Sequence, residues 1–328
     1  MVNLEDIRQP VSEAFAQYEQ AFAQTMRSEN PLLNEVLDYI HAKCGKQLRP
    51  LLVLLSAEIC RGVTDKTILA SEALELLHTA SLVHDDVVDS SPMRRGAKSV
   101  QAKWNNKVAV LVGDFMLARV INVIAEIRNT PILNIVSRLG TALSSGELLQ
   151  LHANGSMWIS EEQYFRIIDQ KTAQLFASCT EAGAESCLAT MKQTTALREF
   201  GRHFGICFQL KDDIFDYSDA EELGKPTMND IRDGKATLPL IVSLKRATLA
   251  ETEQIKQTAE NLVQGIIDAA DAEQEIKSFV LRYEGVRYAN ARMHEHKKRA
   301  IEALSVFRES PVKTALLSLL EYAVNRDH

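Results

Sequence analysis

Leu74–Arg95, LELLHTASLVHDDVVDSSPMRR, sets an apolar helical run, three aspartates and an arginine pair in that order. At about 3.6 residues per turn, Asp85 and Asp89 share a helix face, about 6 Å apart along the axis. Asp86 points elsewhere on the same turn and can support them. Two carboxylates that close repel unless a cation sits between them. A hard divalent ion such as magnesium suits them, because it takes oxygen ligands and keeps coordination positions for phosphate oxygens. A second cluster of the same shape, Asp212-Asp213-Ile214-Phe215-Asp216, lies further along the chain. A single aspartate pair is usually a helix cap or a solvated face. Two near-duplicates, each embedded in apolar sequence, argue against that reading here.

Composition narrows the classes around this stretch. The chain of 328 residues is 46% hydrophobic, ample for a large core. Its net charge of −7 argues against a general nucleic-acid binder, which needs a basic surface. Cys44, Cys60, Cys179, Cys187 and Cys207 are scattered, with no CxxC pair and no histidine at zinc spacing. They read as small core residues in a reducing, cytoplasmic setting. The first residues, MVNLEDIRQPVSEAF, are acidic and polar, and no uncharged apolar stretch reaches about 18 residues. Neither secretion nor a transmembrane segment is expected.

Helix punctuation dominates the rest. Asn30-Pro31 sets a capping residue before a proline at the first helical position, with Gly45 after the run. Pro50 opens LLVLLSAEIC, which stops near Gly62. From Asp65 to about Ser90 apolar residues occupy nearly every face, as in a helix at the middle of a bundle. Ser91-Pro92 ends it, and MRRG reads as a loop. A run from Val108 to Arg128 stops at Thr130-Pro131, and Ser160-Glu161-Glu162-Gln163 reads as a capping box. No strand-turn-strand pattern and no linker is evident. The fold class is all-α, with residues 1–328 forming one domain.

Basic residues flank both clusters. Lys46 and Arg49 stand at a helix entrance, where backbone N–H groups face outward and suit a diphosphate; an ordinary charged helix start is the alternative. His78 lies two turns before Asp85, and a lone histidine on an apolar helix is more often a satisfied core group. Arg94 and Arg95, directly after the first cluster, can grip phosphate oxygens bidentately or simply line a solvated loop. Lys171-Thr172 and Gln209 precede the second cluster, and Gly224-Lys225 and Gly234-Lys235 follow it. Lysines beside glycines can close over a bound anion. His294-Glu295-His296 lacks zinc-protease spacing, and Lys297-Lys298-Arg299 reads as a solvated face.

Taken together, GKQLRP, LLHTASLVHDDVVDSSPMRRG, VLVGDF, QKTAQLF, FQLKDDIFDY and LGKPTMNDIRDGKATLPL, in this order between Gly45 and Leu240, resemble the trans-isoprenyl diphosphate synthases. The resemblance implies a bundle of long antiparallel helices around a central cavity, and a homodimer. It implies Mg²⁺ as cofactor, three ions in all, two at Asp85 and Asp89 and a third at Asp212. Arg94, Lys171, Thr172, Gln209 and Lys225, with Lys235 nearby, would hold the allylic diphosphate. Lys46, Arg49, His78 and Arg95 would hold isopentenyl diphosphate. Asp85, Asp89, Arg94, Lys171, Asp212 and Lys225 form the catalytic set. The aspartates act as metal ligands, not as general acids.

The helix approaching Asp85 should set product length. An isoprene unit spans about three helical residues at ~1.5 Å each, so a growing tail would pass Ser81 and Ala80, then Leu77 and Leu74. Shorter-product members of the family carry bulky side chains at the first of these positions. Small Ala80 and Ser81 favour a long all-trans product around the octaprenyl class, destined for quinone side chains, over a geranylgeranyl or farnesyl product. Equally, they permit tight helix packing. Ile135, Val136 or Leu139 would stop the tail. A terpene cyclase has no need of the second diphosphate pocket. A silent subunit of a heteromeric synthase should show eroded motifs, whereas both aspartate clusters are intact. After about Ala247 no motif assigns a role.

Overall fold

The computed structural model describes residues 3–154, 158–218 and 228–326. Its principal helices are α1 (Ser12–Thr25), α2 (Pro31–His41), α3 (Leu48–Glu58), α4 (Asp65–Val88), α5 (Asn106–Ile127), α6 (Thr130–Asn154), α7 (Glu161–Ile168), α8 (Gln174–Ser186), α9 (Met191–Phe215), α10 (Leu238–Arg246), α11 (Leu249–Val263), α12 (Ala269–Arg282), α13 (Gly285–Ala303) and α14 (Pro311–Asn325). The described residues fall into two compact units. The first is drawn from Met1–Gly140, Leu175–Gly201 and Ala303–Leu319, the second from Thr141–Gln174, Arg202–Glu302 and Leu320–His328.

In the first unit α4 is the central rod. Its residues Ala70, Ala73, Leu74, Leu76 and Ala80 are wholly buried, and Ile68, Leu77 and Val83 nearly so. It packs against α1, α3 and α5. Each fully buried leucine contributes roughly 1.5–3 kcal/mol relative to exposure, so no face of α4 can be moved to water cheaply. Its start is fixed by a reciprocal cap. The Thr64 side chain accepts from Thr67 N–H while the Thr67 side chain accepts from Thr64 N–H. Its end falls at the acidic cluster, with Asp89 as the C-cap residue and Asp89 N–H donating to the Asp85 carbonyl at 2.8 Å. Gly201 on α9 lies so close to Thr180 and the Phe176 carbonyl of α8 that a Cβ there would overlap both, so the missing side chain lets the two helices pack closely.

The loop after α4 departs from expectation. Met93–Arg94 (β1) and Ala97–Lys98 (β2) pair antiparallel, Met93 opposite Lys98 and Arg94 opposite Ala97. Arg95 and Gly96 both have positive φ, 51° and 74°. This backbone matches the twist of a tight two-residue hairpin, so the segment read as a plain loop is a miniature ribbon. Helix α3 also begins two residues before Pro50, which occupies its first turn, where a missing N–H is harmless.

The second unit has a core of its own. Ile231, Ala259 and Ile276 are wholly buried there, and Tyr217, Leu240, Ile255, Leu262, Ala272, Phe279 and Val280 surround them. Much of it comes from α11 and α12, beyond Ala247, each supplying one apolar stripe. Among the described residues, α5 is the helix long and apolar enough to cross a bilayer. Asp114 and Arg119 interrupt it, and Ala109, Val112, Met116 and Val120 belong to the core of the first unit.

Candidate active site

Within the first unit the acidic turn and the basic hairpin form one electrostatic group. Asp85 is half-buried and Asp89 exposed, whereas Asp86 is only 3% exposed. Asp86 turns away from its neighbours and accepts from Arg94 Nε at 2.9 Å and Nη2 at 2.5 Å. Burial pushes its carboxyl up, and Arg94 pulls it back down. Arg94 is thereby held by two charge-assisted hydrogen bonds that converge on the one oxygen, Asp86 Oδ1. Arg95 takes the left-handed backbone conformation and sends Nη1 to the Lys43 carbonyl at 2.9 Å. Its guanidinium packs against Gly45, whose missing side chain leaves room for it.

Next to Gly45, Lys46 is exposed just ahead of α3, and its carbonyl accepts from Arg8 at 2.9 Å. Arg49 lies over the Phe176 ring, 5.4 Å from its centroid, with a buried Nε that has no hydrogen-bond partner. Burial lowers its pKa, and Glu75 opposes that shift. His78 is 7% exposed, and its pKa is held well below 6.5 by burial and then by the fields of Arg49, Arg95 and Arg94. It is a neutral imidazole with one N–H to give. Glu75, 2% exposed, stands within reach of Arg49 and Arg95 and is pushed up by burial. It was not anticipated. Its signal was in plain view, a glutamate inside an otherwise apolar run, Leu74-Glu75-Leu76-Leu77.

The second unit gathers the later candidates around a cavity of about 180 Å³ lined by Tyr164, Lys171, Thr172, Gln209, Asp213 and Lys235, among others. Lys171 and Thr172 ride on a π-helical turn, Asp169–Ala173, between α7 and α8. Such a bulge re-aims side chains that a regular helix would send elsewhere. Gly146 on α6 lets this turn approach, since a Cβ there would sit 3.0 Å from Lys171 N. Lys171 Nζ pairs with Glu147 at 2.5 Å. Thr172 donates to Gln209 Oε1 at 2.9 Å, Gln209 donates to Asp213 Oδ1 at 3.0 Å, and Tyr164 donates to Asp213 Oδ2 at 2.5 Å.

This network separates the three aspartates of the second cluster. Asp213 is buried and pushed up to about 8 by burial and the charge of Asp230. Asp216 is pushed up to about 7 for the same reasons, and it accepts from Asn229 N–H at 3.1 Å and Asp230 N–H at 2.9 Å. Both carboxyls are spent inside the fold. The Asp212 side chain is 43% exposed and pairs with Arg326 at 2.6 Å, another residue that no motif singled out. Lys235 Nζ lies 3.0 Å from Asp233. Lys225 lies outside the described residues. Leu77 and Ala80 are buried on α4, and half-buried Ser81 donates to the His78 carbonyl at 2.8 Å.

Helices presenting oxygen-donor clusters, each accompanied by cations, suit a protein that handles an anionic ligand together with a divalent ion. The family model described as polyprenyl synthetase matches residues 30–276. Octaprenyl diphosphate synthase of Haemophilus influenzae is 33% identical over 329 residues, covering 100% of this chain and 98% of the relative. All-trans-nonaprenyl-diphosphate synthase (geranyl-diphosphate specific) of Rhodobacter capsulatus is 35% identical over 324 residues, covering 98% of each. The crystal structure of polyprenyl synthase from Caulobacter crescentus CB15, complexed with calcium and isoprenyl diphosphate, superposes with a TM-score of 0.91 at 30% identity, covering 99% of this chain and 98% of that one. The chain belongs to the polyprenyl synthetase family, the trans-isoprenyl diphosphate synthases, and is a prenyltransferase with the helical isoprenoid synthase fold.

Proposed function

We propose that the chain adds isopentenyl diphosphate units, in all-trans geometry, to an allylic diphosphate such as farnesyl diphosphate. The product is a long-chain polyprenyl diphosphate of about the octaprenyl class, used for quinone side chains. The observation that carries this reading is the coincidence of intact acidic clusters with relatives named for octaprenyl and nonaprenyl products over nearly their whole length. Asp85, Asp89 and Asp212 fit magnesium. Among the described residues no group of three or more His, Cys, Asp or Glu side chains could hold a metal on its own. One or two carboxylates per cluster leave the remaining positions to phosphate oxygens and water, as magnesium prefers. Three bound ions would supply positive charge to the departing diphosphate.

The protein groups divide the work. Arg94, Lys171, Thr172, Gln209, Lys225 and Lys235 hold the allylic diphosphate, with Arg94 aimed by Asp86. Lys46, Arg49, His78 and Arg95 hold isopentenyl diphosphate. Neutral His78 donates a hydrogen bond without adding to the repulsion between Arg49 and Arg95. Ionisation of the allylic C–O bond leaves a cation that the isopentenyl double bond attacks, and the proton then passes to the leaving diphosphate. Fixed cations favour that charge separation most where water is excluded. The apolar side of α4, with Leu77, Ala80 and Ser81, receives the growing tail.

Purified protein incubated with farnesyl diphosphate, isopentenyl diphosphate and Mg²⁺ tests the reading. A ladder of linear prenyl diphosphates ending near eight isoprene units is expected. A product stopping at four units would overturn the long-chain assignment, and no turnover would overturn the whole. We further propose that residues 1–328 act as one catalytic domain in the cytoplasm and pair as a homodimer. Exposed Val110, Leu111, Ile121 and Leu133, on α5 and the start of α6, support such pairing.

A further inference from the structure

The cation on the second acidic cluster comes from far along the chain. Arg326, immediately after α14, donates through Nη2 to Asp212 Oδ1 at 2.6 Å and to the Phe208 carbonyl at 2.9 Å. Its guanidinium carbon lies 3.8 Å from the centroid of the Phe208 ring and 5.6 Å from that of Phe215. Phe208, Asp212 and Phe215 are spaced four and three apart, so they share one face of α9 and the guanidinium lies along it. The Arg326 side chain is only 11% exposed, and its buried Nε has no hydrogen-bond partner. A charge so far removed from water, with an N–H unmet, needs a compensating anion. Asp212 supplies it.

We infer that Arg326 is a positioning residue for metal loading: it is the resident counter-ion of Asp212 and is exchanged for the divalent cation. The inference rests on Asp212 being a metal ligand, as proposed above. A guanidinium at hydrogen-bond distance and a doubly charged ion on the same carboxylate repel at close range. The guanidinium and the ion therefore compete for the one carboxylate, and α14, which Arg326 directly follows, feels whether the cluster is loaded. No bond is made or broken in the exchange. Until the ion comes, Arg326 keeps the carboxylate on the side of α9 that carries Phe208.

Mn²⁺ titration followed by electron paramagnetic resonance, with inorganic diphosphate held at a fixed saturating concentration, tests this in a chain carrying Asp85→Asn and Asp89→Asn, which leaves the second cluster to report. Arg326→Gln should tighten Mn²⁺ binding about fivefold, and Arg326→Lys should return it toward the parent value. Circular dichroism establishes that each variant is folded, and the Lys variant retains the charge if Gln disturbs packing. Unchanged or weaker Mn²⁺ binding in folded Arg326→Gln, with binding lost in Asp212→Asn, overturns the exchange alone. Full Mn²⁺ binding in Asp212→Asn overturns the ligand assignment and the exchange with it.

Discussion

Asp85, Asp86 and Asp89 belong to one turn, yet their surroundings assign them different work. Asp86 is buried and committed to Arg94, while Asp89 faces solvent. Replacing Asp86 with Asn keeps the shape and removes the charge that aims Arg94. The expected result is a fall of about tenfold in kcat/KM for the allylic substrate, about 1.4 kcal/mol of transition-state stabilisation, with little change in melting temperature; wild-type steady-state kinetics would refute it. A second test concerns His296, buried with Nδ1 3.0 Å from Nδ1 of His203 and lowered to about 3 by burial and then by His203. Between about pH 6.5 and 3 the unfolded chain binds a proton there that the folded chain refuses. Stability is therefore full above pH 6.5 and declines as pH falls. Proton NMR should show the His296 ring titrating near 3, and a midpoint close to 6.5 would contradict its neutral burial.

At the scale of elements, α4 carries the site and is held at both ends. Thr64 caps its start and also donates to the Ser186 carbonyl at 3.2 Å. Thr64→Ala should lower the unfolding free energy by about 1 kcal/mol, the usual worth of such a cap, and leave product length alone; chemical denaturation with product analysis measures both. Ala80→Phe addresses the tail instead. It sets a ring on α4 where, on the proposed path, the first added isoprene units would pass, so chromatography should show shorter products, and an unchanged distribution would place the tail elsewhere. The extents of α2, α4 and α5 and the start of α7 were readable from caps, prolines and apolar runs, because those signals are local. The β1–β2 ribbon and the π-helical turn at Asp169–Ala173 were not. A two-residue strand has no period to detect, and Met93-Arg94-Arg95-Gly96 lacks the Asn-Gly signature of a tight hairpin. A π bulge arises where packing re-aims a helix, not from residue preference.

For the whole molecule, the exposed apolar stripe on α5 is the testable feature. Leu111 and Ile121 are 68% and 69% exposed, a wasteful arrangement for a lone soluble chain. Leu111→Arg combined with Ile121→Arg should convert a dimer to a monomer in light scattering at micromolar concentration; a wild-type chain already monomeric there would overturn the pairing. Composition and helix periodicity, carried by neighbouring residues, determined by themselves the all-α class, and the resemblance of the ordered motifs supplied the family and most candidate side chains. Burial and partners depend on residues far apart in sequence, and only the tertiary structure decided those. It separated half-buried Asp212 from buried Asp213 and Asp216, made His78 neutral, set Glu75 beside Arg49 and Arg95, brought Arg326 to Asp212, and gave the chain after Ala247 a core to build. Ionisation and pairing answer to the field and solvent around a group, and a linear string of residues does not contain that field until the chain has packed.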